Sequence, residues 1–264
     1  MRPRESGKGA AVRIPLVAGN WKMHGSFARG EALLASIAAA LPLAGVEVAV
    51  MPPFPYLDRF ARSFGRKLAF GAQDVSAHLE DGAHTGEVSA RMLAEVGCRY
   101  VIVGHSERRR DHGESDELVW RKAEAAAAAG LTPVLCVGER LEERERGETE
   151  AVIAAQLAGL AVRPALLERL CIAYEPVWAI GSGRSATPEQ AVAVHELIRG
   201  ICARIDARMA NSLRILYGGS VKGSNAPSLL AAEGVDGALV GGASLDPEEF
   251  LAIVRAAARP IADS

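Results

Sequence analysis

The chain has 264 residues, 49% hydrophobic and 23% charged, with a formal net charge of -2. That is globular composition with enough length for one large core, and its near-neutral charge gives no global attraction to nucleic acid or acidic membranes. The longest apolar candidate, near Leu33 to Leu43, is broken by Pro42 and falls short of a membrane span.

Met1 to Gly9 is basic and small and lacks the apolar core of a signal peptide. Residues 1–12 read as a short disordered or extended segment ahead of one domain over 13–264. Short apolar runs then alternate with helical patterns. The candidate strands are Ile14–Ala18, Val46–Met51, Leu68–Gln73, Tyr100–Gly104, Pro133–Val137, Cys171–Glu175, Arg214–Tyr217 and Gly237–Val240. Each is close to continuously apolar rather than alternating, the pattern of a parallel sheet covered on both faces.

The helices between them carry recognisable ends. The segment Leu118–Ala129 stops at Gly130, a residue suited to the left-handed turn past a helix. Glu139 to Glu150 is a dense charge run, in which Glu142 and Arg146 stand four apart as on a solvated helix face. Thr187-Pro188-Glu189 is a cap, a first-turn proline and an acidic first turn, and Asp246-Pro247-Glu248 repeats the device. Eight strand–helix alternations without a composition break predict an α/β fold: a single (β/α)8 barrel, eight parallel strands surrounded by helices. A doubly wound sheet is the alternative, but it does not readily use eight strands spaced this evenly.

Cys98, Cys136, Cys171 and Cys202 stand far apart with no CxxC pair. They read as buried reduced thiols, which favours a cytoplasmic protein. The six histidines show no HxH or HExxH spacing, so no metal is expected.

Polar residues gather where strands end. They are Asn20 and Lys22 after the first run, His105-Ser106-Glu107 after the fourth, Glu175 at the end of the sixth, Gly218-Gly219-Ser220 after the seventh and Gly241-Gly242 after the eighth. Alone, Lys22 reads as a solvated charge, His105 as a helix start and Gly218-Gly219 as a tight turn. In a barrel all these ends meet at one rim, where the last two loops commonly hold phosphate. Glu175 ends an apolar run and is followed by Pro176 and a loop carrying Gly181 and Gly183. That order suggests a base fixed on a strand under a closing loop, as proton abstraction from carbon requires. Gly181 to Ala186 matches a dinucleotide fingerprint in letters, but it does not follow directly on a strand, as that motif must.

Five segments in this order resemble the triosephosphate isomerase family: Gly19-Asn20-Trp21-Lys22-Met23, Val103 to Arg109, the Glu175 loop, Tyr217 to Val221 and Val240 to Leu245. The resemblance runs from about Ile14 to the last helix. It implies interconversion of dihydroxyacetone phosphate and D-glyceraldehyde 3-phosphate through an enediolate, within glycolysis and gluconeogenesis and without cofactor or metal. By that resemblance Glu175 is the base, neutral His105 the electrophile and Lys22 the third catalytic residue. Asn20, Lys22, Gly181, Ser220, Gly241 and Gly242 would hold the substrate, with Ser106, Glu107 and Thr85 supporting.

The family's third loop, here 74–87, inserts into a partner subunit, so a homodimer is implied, with no nucleic-acid or membrane partner. Ser182-Gly183-Arg184-Ser185 departs from the family's usual lid letters and predicts altered lid kinetics rather than lost chemistry. His24 and His84 replace residues common in the family.

Burial predicts a raised pKa for Glu175, and the start of a helix at Ser106 predicts a neutral His105. Two other readings stay open from the residues themselves. A Schiff-base aldolase needs a nucleophilic pocket lysine, and the chain has only Lys8, Lys22, Lys67, Lys122 and Lys222. A non-catalytic barrel is the other, and an intact Lys22, His105 and Glu175 set speaks against it.

Overall fold

The apolar runs pair in chain order and the last returns to the first. The computed structural model describes residues 13–181 and 185–260. The expected extension over 1–12 and the lid residues Ser182, Gly183 and Arg184 lie outside the described residues. The first half runs β1 (Leu16–Asn20), α1 (Phe27–Ala39), β2 (Glu47–Met51), α2 (Phe54–Phe64), β3 (Ala69–Ala72), α3 (Ala90–Glu95), β4 (Cys98–Val103), α4 (Ser106–His112) and α5 (Asp116–Ala128). The second half runs β5 (Thr132–Val137), α6 (Leu141–Glu145), α7 (Thr149–Leu157), β6 (Cys171–Tyr174), α8 (Pro188–Ala203), α9 (Ala207–Ser212), β7 (Arg214–Tyr217), α10 (Ala226–Leu230), β8 (Gly237–Val240) and α11 (Pro247–Ala257). The strands close into one barrel in the order β1 to β8. Every pairing is parallel, from Val17 against Val48 in the first to Val17 against Ala238 in the closing one.

The near-continuous apolar character of the strands has the expected cause. Leu16, Ala18, Ala49, Met51, Cys136 and Leu216 belong to the packed barrel interior. Their neighbours Val17, Val48, Val50 and Ile215 join the larger core beneath the surrounding helices. Beyond their first residues, the strands are therefore dry on both faces, apart from exposed Arg99 in β4. All four cysteines are free and buried.

Local signals set the helix ends. Thr187 caps α8 with its hydroxyl accepting from the Gln190 N–H at 3.2 Å, while the Gln190 side chain accepts from the Thr187 N–H at 3.0 Å. Asp246 accepts from the N–H groups of Glu248 and Glu249 ahead of α11. Gly130 sits just past α5 with φ +82.

The first strand differs from its predicted span of Ile14–Ala18. Ile14 is 57% exposed, whereas Gly19 and Asn20 continue the ladder opposite Val50 and Met51. Backbone pairing carries the strand past its last apolar residue.

The charge run also differs from a plain solvated face. Arg146 pairs with Glu148 at 2.7 Å rather than with Glu142. Glu139, at the start of the run, is completely buried. It lies at the carboxyl end of β5, where three donors converge on it, as described below.

Candidate active site

Strand ends at the carboxyl rim of the barrel bring the polar residues together. A cavity of about 690 Å³ opens there, lined by Asn20, Lys22, His105, Glu175, Gly181, Ser220, Gly241 and Gly242. Every predicted catalytic and substrate-holding residue thus borders one space. Ser106 and Glu107 stand behind its wall. Thr85 does not line it and lies on the exposed loop between β3 and α3.

Lys22 reaches this space by an unusual backbone. It has φ +49, the one non-glycine residue with positive φ among the described residues. That conformation costs a side-chain-bearing residue about 1 kcal/mol. Two hydrogen bonds hold its backbone, and a third anchors one of the partners. Asn20 Oδ1 accepts from the Lys22 N–H at 2.9 Å. Gln73 Nε2 donates to the carbonyls of Lys22 and Met51, both at 2.8 Å. Strain of this kind persists where surrounding bonds over-determine it. Lys22 Nζ then donates to Glu107 Oε1 at 2.6 Å.

His105 caps α4, and its Nδ1 accepts from the Glu107 N–H at 3.2 Å. That bond assigns the ring proton to Nε2, which donates to Glu175 Oε1 at 2.9 Å. The Ser106 N–H, the first of α4, donates to Glu175 Oε2 at 2.8 Å. Glu175 is 2% exposed and His105 6%. Both oxygens of a buried carboxylate are therefore bound, one by the imidazole and one by a helix amine end.

These contacts reverse two expectations. Burial pushes the Glu175 pKa up, as predicted, but the charge and hydrogen bond of His105, the Ser106 N–H and Lys22 outweigh it and hold the carboxyl below its ordinary value. Burial likewise pulls His105 down, and Lys22 adds to that, but the Glu175 charge and hydrogen bond, with Glu107, carry it above the ordinary histidine value. The helix end acts through Ser106 on the carboxylate more than on the ring.

The base is held by its neighbours in the barrel. The Glu175 N–H donates to Val137 O and the Gly218 N–H to Tyr174 O, each at 2.7 Å. A Cβ at Gly218, just past β7, would stand 3.0 Å from Glu175 Cγ and 3.1 Å from Tyr174 O, so a larger residue there would press on the base. Glu139 Oε1 accepts from Tyr174 Oη at 3.0 Å, Trp178 Nε1 at 3.0 Å and Arg144 Nη1 at 2.9 Å. It ties the short turn Val177–Ala179, which follows the base, to β5 and β6. On the far side of the loop, Tyr217 Oη accepts from the Ala186 N–H at 2.9 Å.

The opposite wall is backbone. Gly242–Leu245 forms a single 3-10 turn directly after β8, braced by Ser244 Oγ donating to Gly241 O at 2.7 Å. Asn225 Nδ2 donates to Ser220 O at 3.1 Å and fixes the loop after β7. A Cβ at Gly242 would meet nothing within 4 Å, which leaves ligand-sized space beside that peptide. Exposed N–H groups at the start of a turn suit an anion.

Glu139 and Gln73 were not singled out in the sequence. Glu139 lay inside a run of charges, and Gln73 at the edge of a predicted strand. The signal that could have found both is position, since each stands at the carboxyl end of a barrel strand. The aldolase reading needs a free pocket lysine. Lys22 is engaged by Glu107, and buried Lys122 is bound by Asp74 and Glu114 away from the cavity.

The chain is similar to known proteins along nearly its whole length. A family model described as triosephosphate isomerase matches residues 15–257. A triosephosphate isomerase of Stenotrophomonas maltophilia (strain K279a) is 61% identical over 250 residues, covering 94% of this chain and 99% of the relative. One from Xanthomonas campestris pv. campestris (strain 8004) is 59% identical over 250 residues with the same coverage.

Proposed function

Because the chain belongs to the triosephosphate isomerase family, and so interconverts dihydroxyacetone phosphate and D-glyceraldehyde 3-phosphate in glycolysis, we propose that Glu175 moves the proton between C1 and C2 while His105 serves the two oxygens. The observation that carries this is the Glu175–His105 contact of 2.9 Å, buried in the wall of a cavity whose other side is glycine-rich backbone.

The steps follow from the contacts. A substrate carbonyl oxygen that takes the His105 Nε2–H displaces Glu175 Oε1 and turns the carboxylate toward carbon. Glu175 takes a proton from C1, the C–H pair becomes the C1–C2 double bond, and the carbonyl π pair moves onto O2. His105 gives O2 its Nε2 proton and receives the O1 proton in return. Glu175 then delivers its proton to C2, and the enzyme is restored. Parting Glu175 from His105 and Ser106 removes the largest influences that lower its pKa and leaves burial opposed by Lys22 alone, so the base strengthens as the substrate arrives. Losing the carboxylate's charge also lowers the His105 pKa, which keeps the ring a neutral donor.

Lys22 offsets the charge of phosphate and enediolate, with Asn20 holding its backbone. The N–H groups of Gly181, Ser220, Gly241 and Gly242 grip the phosphate. Ser106 and Glu107 hold the resting arrangement. These steps draw on side chains and backbone alone.

The protein acts as a cytoplasmic homodimer through loop 74–87, with Thr85 approaching the partner's site. Supporting this, Met23 is 95% and Leu79 65% exposed, a degree of apolar exposure that a partner surface would relieve. His84 stacks on His78 within that loop, ring centroids 3.5 Å apart. No helix of the described residues is long and apolar enough to cross a membrane.

Glu175→Asp tests the base. Shortening the side chain withdraws the carboxylate by about 1 Å, and a misplacement of that order lowers turnover about 10²-fold. A coupled assay giving wild-type kcat for this variant contradicts the assignment.

A further inference from the structure

We infer that Gln156, on α7 and outside the cavity, is a positioning residue for Glu175, acting through a two-point amide clamp on the Gly138 peptide. The inference rests on Glu175 being the base.

The backbone of the base lies against residues 137–139. Glu175 N–H donates to Val137 O at 2.7 Å and Val177 N–H to Glu139 O at 3.1 Å. Between these two bonds stands Gly138, so close that a Cβ on it would lie 1.7 Å from Glu175 O. No side chain fits between the two segments, so a shift of the Gly138 peptide is transmitted directly to the peptide that carries the base.

The Gly138 peptide is held by one side chain. Its N–H donates to Gln156 Oε1 at 2.8 Å, and Gln156 Nε2 donates to its carbonyl at 3.1 Å. A carboxamide is the neutral side chain that offers both a donor and an acceptor at this separation. Gln156 is itself fixed, because its main-chain carbonyl accepts from buried Trp120 Nε1 at 3.1 Å. The next glycine in the chain reinforces that contact. A Cβ at Gly159 would stand 2.3 Å from the same indole nitrogen. The clamp therefore runs from α5 through α7 to the end of β5 and on to Glu175. A helix that touches no substrate would set the aim of the carboxylate.

Two variants test it. Gln156→Met keeps the chain length and removes both donor and acceptor. It should lower kcat about tenfold, with KM within about twofold, because substrate contacts are untouched while the base is misaimed. Gln156→Glu can accept but not donate when ionised, and regains a donor when protonated. Its kcat relative to wild type should therefore rise as pH falls from about 8 to about 5.5, where protonation of a partly buried carboxyl sets in. Rates are normalised to sites counted with a phosphorylated substrate analogue, so unfolded protein does not register as lost turnover.

Wild-type kcat in Gln156→Met, a loss confined to KM, or a pH-independent ratio in Gln156→Glu overturns the clamp. Glu175→Gln is assayed alongside. Turnover surviving in that variant sinks the base assignment instead, whereas normal Gln156→Met turnover beside an inactive Glu175→Gln sinks the clamp alone.

Discussion

Both ends of this barrel bury charge, and they use it differently. At the amino end, Asp236 is completely buried and accepts from Arg13 Nε at 2.7 Å, Arg199 Nη2 at 2.7 Å and the Ile215 N–H at 3.0 Å. Glu47 beside it binds Arg214 at 2.7 Å and Arg99 at 3.0 Å, and Arg214 continues to Tyr100 Oη at 2.9 Å. These partners begin strands or pack against them and are tied to the framework rather than to a cavity that binds substrate. At the carboxyl end, Glu175 is nearly as buried, but one of its two partners, the imidazole of His105, lines a cavity, while the Ser106 N–H stands behind the wall. A ligand entering that cavity can take the imidazole. Buried charge marks a reaction centre here only where its partner can be exchanged.

The comparison breaks most sharply at Lys22. Lys22→Met removes the cation that the proposed mechanism sets beside the reacting oxygens. Loss of one such stabilising group costs about 10³-fold in kcat/KM, roughly 4 kcal/mol. Unchanged kcat/KM with folded protein would mean that the rim cation is ornamental.

The amino-end counterpart is Asp236→Ala. It strands two partly buried guanidinium groups and the Ile215 N–H, and breaking a buried ionic cluster of this kind costs about 3 kcal/mol of stability. Denaturant unfolding reads that loss, while kcat per folded site stays at the wild-type value. If turnover falls and stability does not, the division of labour between the two ends is wrong.

Legibility in the sequence follows the same division. The barrel could be read because its strands are dry on both faces and its helix caps are local, as at Thr187 and Asp246. The positions of Lys22, His105 and Glu175 could be read because each stands at a strand end carrying a reactive group. Their charge states could not. The downward shift of Glu175 depends on Ser106, 69 residues away, and on a His105 contact that no spacing rule encodes. Gln73, Glu139 and Gln156 escaped for a related reason. Each acts through a long-range bond to backbone or to another side chain, and such bonds are set by the closed barrel rather than by neighbours in sequence. The Glu142–Arg146 side-chain pairing failed although the helical turn forms, with the Arg146 N–H donating to Glu142 O at 3.2 Å, because the guanidinium reaches past the helix end to Glu148 instead.

The finest test of the comparison sets one histidine from each end against the other. His195, on α8, is fully buried on the amino-end side, where its Nδ1 pairs with Gly234 O at 3.1 Å. A carbonyl accepts only, so Nδ1 carries the proton and Nε2 is bare, with no partner among the described residues. Burial pulls its pKa down to about 4, against the partial upward pull of Gly234 and Asp236. The sign follows from proton counting. In the unfolded chain a histidine binds its second proton near pH 6.5, and in the folded chain His195 does so only near 4. Its contribution is complete above about pH 6.5 and is lost as pH falls toward 4, amounting to about 3 kcal/mol in all. His105 has the opposite sign. Its pKa is raised by Glu175, so its contribution is complete below the unfolded value and is lost as pH climbs through the folded one. His195→Asn keeps a donor for Gly234 and cannot titrate. Unfolding free energies for this variant and the parent, followed from pH 7 to pH 4, should converge on the acid side as the parent surrenders what its histidine supplied. A parent whose stability is flat over that interval, or a variant that falls in parallel with it, would show that the buried ring at the closed end accepts a proton as readily as one in water.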